Sequence, residues 1–154
     1  MVEVGDRAPG FELPDTDLKM RSLSEFSGKK VVVAFIVAAS SPVCETELCR
    51  FRDSWDDIAA AGAQVISISN DGPFANKAFA EKNGLKFPLL ADYTSGTIRA
   101  YGVLMKDLLH IKDYNAAKRS VFVVDGGGTV TYKWVSDDPL VEPDYDAVRA
   151  AVSA

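Results

Sequence analysis

The chain has 154 residues, 47% hydrophobic and 25% charged, with 17 basic against 22 acidic side chains and a net charge of −5. That length predicts one domain over residues 1–154, large enough to bury a core without disulfides or metals, and the composition excludes collagen, coiled coil and disorder. There is no basic stripe for a nucleic-acid partner. The longest apolar run, residues 31–39, falls far short of the roughly 18 residues of a membrane span. The N-terminal MVEVGDRAPGF lacks a signal-peptide core, so the expected location is cytoplasmic.

Residues 10–21 carry Pro14, Asp15 and Asp17 between two short extended pieces, which predicts an N-terminal β-hairpin. KVVVAFIV (30–37) is a continuous apolar run rich in β-branched residues, the pattern of a central strand covered on both faces. Ser41 is an N-cap residue and Pro42 suits the first helical position. Leu48, Phe51, Trp55, Ile58 and Ala59 then recur at helical spacing, and this helix is expected to end near Gly62. QVISIS (64–69) alternates as a strand. Pro73 opens a second helix, with Phe74, Ala78 and Phe79 expected inward and Gly84 as its stop.

Residues 87–91 predict a short strand, 95–101 a short helix and 104–117 a loop. RSVFVV (119–124) and TVTYKWV (129–135) are strands joined by the turn Asp125-Gly126-Gly127-Gly128. An amphipathic helix over 145–152 closes the chain. Helices crossing between parallel strands, followed by a hairpin, imply an α/β fold: a mixed central sheet with helices on both faces and an N-terminal β-hairpin extension, the thioredoxin-like arrangement.

Cys44 and Cys49 are the only cysteines. Cys44 falls in the first turn of its helix, directly after the buried strand, where free N–H groups and the helix dipole favour a thiolate. Glu45 and Glu47 oppose this, so a cation must be supplied from elsewhere in the fold. Residues five apart in a straight helix have Cα atoms about 8–9 Å apart, beyond a disulfide's reach of roughly 7 Å. On the helical wheel Cys44 lies near the buried stripe and Cys49 about 115° from its centre, facing out. Read from spacing and composition alone, the two are either a reactive pair whose helix must open or two small core residues. The single His110 leaves too few soft ligands for a closed zinc site and stands near no acid or cysteine pattern, so it is given no catalytic role.

FIVAASSPVCETELCRFRDSW resembles the active-site segment of peroxiredoxins, whose signature is Pro-x-x-x-Thr/Ser-x-x-Cys. Ser41 and Cys44 match its last two fixed positions, and Glu47 and Leu48 match the E-L that follows. Arg119 in AKRSVFVVD matches the second-site arginine of the family. VGDRAPGFELPDTD and FPLLAD are similar to family segments, and Cys49 resembles the resolving cysteine of the Q-type (bacterioferritin-comigratory-protein-like) branch. Two positions depart from the pattern: Val37 stands where the family has its first Pro, and Ser40 where an aromatic residue is common.

The resemblance implies a thiol peroxidase. Cys44 attacks hydrogen peroxide or an organic hydroperoxide and becomes a sulfenic acid. Cys49 closes a disulfide that a thioredoxin-like donor reduces. The backbone N–H groups of Val43 and Cys44, the Ser41 hydroxyl and Arg119 stabilise the leaving oxygen. The alternatives are Ser41 as only an N-cap and Arg119 as only a surface ion pair. Glu47 is expected to hold Arg119 or the helix, or to be a solvated helix residue. Trp55 is expected in the core and Trp134 in strand packing. SDDPLVEPDY (136–145) reads as a polar loop. No cofactor or metal is implied, no nucleic acid or membrane partner, and the oligomeric state is monomer or homodimer. Two alternatives stand beside this: a one-cysteine peroxidase with Cys49 structural, and a non-catalytic redox sensor on the same fold.

Overall fold

The computed structural model describes residues 1–39 and 41–154, together with the backbone but not the side chain of Trp55. The expectations for Ser40 and for the Trp55 side chain lie outside the described residues.

The N-terminal hairpin pairs β1 (Glu12–Pro14) with β2 (Met20–Ser22) antiparallel. Asp15 closes its turn by accepting the N–H groups of Asp17 and Lys19. The central strand is β3 (Lys30–Phe35), followed by α1 (Pro42–Asp53) and α2 (Trp55–Ala60). Next come β4 (Ala63–Ser69), α3 (Pro73–Asn83), β5 (Leu89–Ala91) and α4 (Gly96–Ala100). Two short strands, β6 (Leu104–Met105) and β7 (Ala116–Ala117), pair antiparallel. The chain ends with β8 (Ser120–Val124), β9 (Val130–Val135) and α5 (Tyr145–Ser153).

The main sheet has the order β5-β4-β3-β8-β9. Strands β3, β4 and β5 are parallel, while β8 runs antiparallel to both of its neighbours. Residues 31–35 of β3 are all buried, as a strand with apolar layers on both sides requires. Alternate residues divide the core. Val32, Ala34, Val65, Leu89, Val121 and Val123 face Cys44, Leu48, Phe51, Ile58, Phe79, Val148 and Val152, contributed by α1, α2, α3 and α5. Val31, Val33, Phe35, Ile66, Ile68 and Phe122 face the other way, against Phe26, Ile98, Tyr101 and Val103. The fold is the thioredoxin-like mixed sheet with helices on both faces.

Four expectations are corrected. The helix after Ser41 does not run on to Gly62. It breaks at Ser54, where ψ moves to 3° and the N–H turns back to the Arg50 and Arg52 carbonyls, and Asp56 and Asp57 open the next short helix. In α3, Phe74 is 76% exposed and Ala78 is also outside; the inward residues are Asn76, Phe79 and Asn83. Phe74 lies five residues from Phe79, about 140° round the helix, whereas 76, 79 and 83 follow the three-and-four spacing of one face.

The strand expected over 30–37 ends at Phe35, and Ile36 makes its last backbone bond to Ile68 at 3.0 Å. The expected loop at 104–117 contains the paired β6 and β7 and a 3₁₀ turn at Leu108–His110. These pieces are too short to show a hydrophobic period, yet Leu108, Ala116 and Ala117 are buried.

Candidate active site

The segment that leaves β3 is pinned before it enters α1. Ala39 N–H donates to Asp71 Oδ2 at 2.7 Å, and Ser69 Oγ donates to the same carboxylate at 2.8 Å. Ser41 is extended (φ −71°, ψ 145°) and Pro42 supplies the preset first helical φ. Ser41 Oγ accepts the N–H of Cys44 at 3.3 Å. The Cys44 N–H is thus engaged in the cap, and the Ser41 hydroxyl proton has no acceptor among the described residues. Val43, half-buried in the same first turn, has no partner for its N–H inside the helix.

Cys44 is fully buried and Cys49 half-buried, and both are free thiols. Cys49 does not point simply to solvent. Its Sγ donates to Asn83 Oδ1 at the end of α3, at 3.6 Å. Both cysteines sit within the unbroken helix α1.

Glu47, three residues after Cys44 and on the same helical face, is also fully buried. It pairs with Arg119, only 1% exposed, at 3.4 Å from Nη1 to Oε1. Neither residue is at the surface. Arg119 immediately precedes β8 and is fixed from its other side by the 136–145 segment. Its Nε and Nη2 both donate to the Pro139 carbonyl, at 3.1 and 2.9 Å. A guanidinium carries five N–H donors, so this pattern leaves two beyond the three contacts.

Burial pushes the Glu47 carboxyl up to about 8, against the pull of Arg119 and with a smaller push from Glu142. Its Oε2 is buried with no hydrogen-bond partner among the described residues, which makes a full charge there costly. Around this pair, Arg50 meets Glu142 at 3.5 Å and stacks over the Tyr145 ring. Tyr145 OH donates to Glu142 at 2.8 Å and its ring packs edge-on against Phe51. Burial, then the bond to Glu142, raises the Tyr145 hydroxyl above its ordinary value.

Pro139, Glu142, Tyr145 and Asn83 are site neighbours that the sequence did not announce. A carbonyl oxygen has no side-chain signature, and the acidic run around Glu142 reads as an ordinary polar loop. His110 stands in the 3₁₀ turn, exposed. Trp134 is partly buried on β9 and packs against the core layer that holds Cys44. No group of three or more metal-ligating side chains occurs among the described residues. Among the same residues, no helix is long and apolar enough to cross a membrane.

A thioredoxin-like sheet with a buried, capped thiol at the start of the helix after its central strand defines a thiol-based redox protein. The chain belongs to the AhpC/TSA family, whose model matches residues 4–133. It is 36% identical over 133 residues to a putative peroxiredoxin bcp of Coxiella burnetii, covering 86% of this chain and 88% of that one. It is 35% identical over 147 residues to peroxiredoxin Bcp of Escherichia coli, covering 96% and 93%. Among solved structures, peroxidoxin BcpB from Mycobacterium tuberculosis superposes with a TM-score of 0.88 at 30% identity, covering 99% of this chain and 97% of that one. A Xanthomonas campestris peroxiredoxin Q structure gives 0.82 at 27%, covering 92% and 89%. As a peroxiredoxin, the chain is a thiol peroxidase, an oxidoreductase.

Proposed function

We propose that Cys44 is the peroxidatic cysteine of a two-cysteine cycle, in one domain spanning residues 1–154 and located in the cytoplasm. Its thiolate attacks one oxygen of hydrogen peroxide or an organic hydroperoxide. The O–O bond breaks, Cys44 becomes sulfenic acid, and the other oxygen leaves as water or an alcohol after taking a proton. The Ser41 hydroxyl, the Val43 N–H and Arg119 stabilise the charge that develops on the leaving oxygen. Glu47 and the Pro139 carbonyl hold the Arg119 guanidinium in place.

Cys49 then attacks the sulfenic sulfur, forming a Cys44–Cys49 disulfide and releasing water. A thioredoxin-like dithiol restores both thiols with two electrons. The supporting observation is the combination of a fully buried Cys44 under the Ser41 cap with a buried Glu47–Arg119 pair one turn along. The protein acts as a monomer or homodimer.

A second reading, a one-cysteine cycle with Cys49 structural, draws on the bond that ties Cys49 to Asn83 of α3 while α1 stays unbroken. Single-turnover peroxide consumption followed by assay with thioredoxin as donor separates the two. Turnover with thioredoxin that is lost in Cys49→Ser supports the disulfide cycle. Full turnover in that variant overturns it.

A further inference from the structure

Taking Cys49 as the resolving thiol, we propose that Asn83 and Arg52 form a latch that holds Cys49 in α1 and limits the rate of disulfide closure. Both act as positioning residues for the resolving step. Asn83 is the last residue of α3, 8% exposed, and its side chain bonds in two directions. Its Oδ1 accepts from Cys49 Sγ at 3.6 Å, and its Nδ2 donates to the Phe79 carbonyl at 3.0 Å. The amide orientation is therefore set within α3, independently of the cysteine.

Arg52, one turn beyond Cys49, donates from Nη1 to the Asn83 carbonyl at 2.6 Å, and its Nε bonds to Asp53 at 3.0 Å. Asp53 first, and then attraction to Cys49, favour the charged guanidinium. A looser ion pair between the same two helices joins Glu45 to Lys82 at 3.9 Å. The receiving end is itself fixed, because Gly84 ends α3 in the left-handed region (φ 61°) and Leu85 N–H returns to the Ala80 carbonyl at 3.1 Å. Thus α1 is tied, around its resolving cysteine, to the capped end of α3.

Closure requires that these ties release. With both residues in helix the Cα atoms stay about 8–9 Å apart, beyond disulfide reach. Cys49 must leave Asn83 before its sulfur can displace the oxygen of Cys44–SOH. In that step the thiol proton and the sulfenic OH depart as water, the Cys49 sulfur is oxidised and the Cys44 sulfur reduced. While the latch holds, the sulfenic acid persists. A second hydrogen peroxide then converts it to sulfinic acid and water, oxidising the sulfur by two further electrons. The latch sets the partition between closure and over-oxidation.

The test uses the full-length reduced protein with graded hydrogen peroxide, rapid quench and intact mass. Sulfenic acid reads as a gain of about 16 Da, sulfinic acid as about 32 Da and disulfide as a loss of about 2 Da. Asn83→Ala and Arg52→Met should each speed closure about fivefold, the factor carried by one net hydrogen bond, and lower the sulfinic fraction at a given peroxide dose. Formation of the sulfenic acid keeps its wild-type rate.

Hydrogen exchange should rise over residues 44–52 in these variants and not across the sheet, which a general loss of stability would not reproduce. Asn83 is buried, so the half-exposed Arg52 carries the test if Asn83→Ala does not fold. Closure that is unchanged or slower in the folded variants overturns the latch alone. A wild type that never loses about 2 Da overturns the Cys49 assignment and the latch with it.

Discussion

The two ends of α1, each carrying one cysteine, are built differently. Around Cys44 the inward side chains are buried and preset: Ser41 caps the turn, Leu48 fills the core, and Glu47 meets Arg119 out of water. Around Cys49 the helix is half-exposed and held by a few polar ties to the end of α3. A rigid first turn suits attack on peroxide, where donors must already stand in place. A loosely tied end suits a cysteine that has to travel. One helix thus combines a fixed site with a releasable one.

The largest effect is expected from Cys44→Ser, which should reduce peroxide consumption to background, while Cys49→Ser leaves the first turnover at its wild-type rate. Single-turnover consumption by both variants checks this. Next comes Arg119→Met, which removes the cation facing Glu47. Loss of one charge-assisted donor at such a site should slow peroxide reaction roughly 100-fold. The rate of alkylation at Cys44 should fall as well, with the sheet intact by circular dichroism. Unchanged rates would make Arg119 purely structural.

Oxidation should blur the contrast by melting the first turns. The closed disulfide forces residues 44–49 out of helix and Leu48 out of a site whose burial is worth roughly 1.5–3 kcal/mol. Amide protection over 44–50 should therefore fall on the order of 10- to 100-fold in the oxidised protein. Equal protection in both forms, with the disulfide confirmed by mass, would refute local unfolding.

Glu47→Gln tests the electrostatics of the fixed end. Its carboxyl is raised by burial from 4.5 to about 8, so the folded chain binds this proton more tightly than the unfolded chain does. The stability it contributes is complete below about pH 4.5 and is lost as pH rises through 8. Wild type should lose stability more steeply than Glu47→Gln between pH 5 and 8, measured by denaturant midpoints. Parallel profiles would show the pair ionised throughout.

The smallest effect is expected from Val37→Pro. Val37 is buried just past the last ladder bond of β3, so proline costs no sheet hydrogen bond there. Peroxide reactivity should hold or rise slightly. A large fall with the fold intact would mean that this pocket is shaped differently from the family pattern.

What was legible in the sequence follows from how local each signal is. The run KVVVAF, the Ser41–Pro42 helix start and the glycine-rich turn after Val124 each carry their own chemistry within a few residues, and the elements stand where they point. The pairing of Glu47 with Arg119 joins residues 72 positions apart, and only the family resemblance brought them together. The grip of Pro139 on Arg119 uses a backbone carbonyl, which any residue supplies. Asn83 and Asn76 fill buried positions on α3 with polar side chains, so apolar spacing does not mark them and points to the exposed Phe74 instead. The break at Ser54 was hidden because apolar spacing continues across it to Ile58.

The most direct measurement of the central assignment is the intact mass of three reduced proteins after one equivalent of hydrogen peroxide. Wild type should lose about 2 Da, Cys49→Ser should gain about 16 Da, and Cys44→Ser should not change. A Cys44→Ser protein that gains about 16 Da on Cys49, or a wild type that remains unmodified, would contradict Cys44 as the peroxide-reactive thiol.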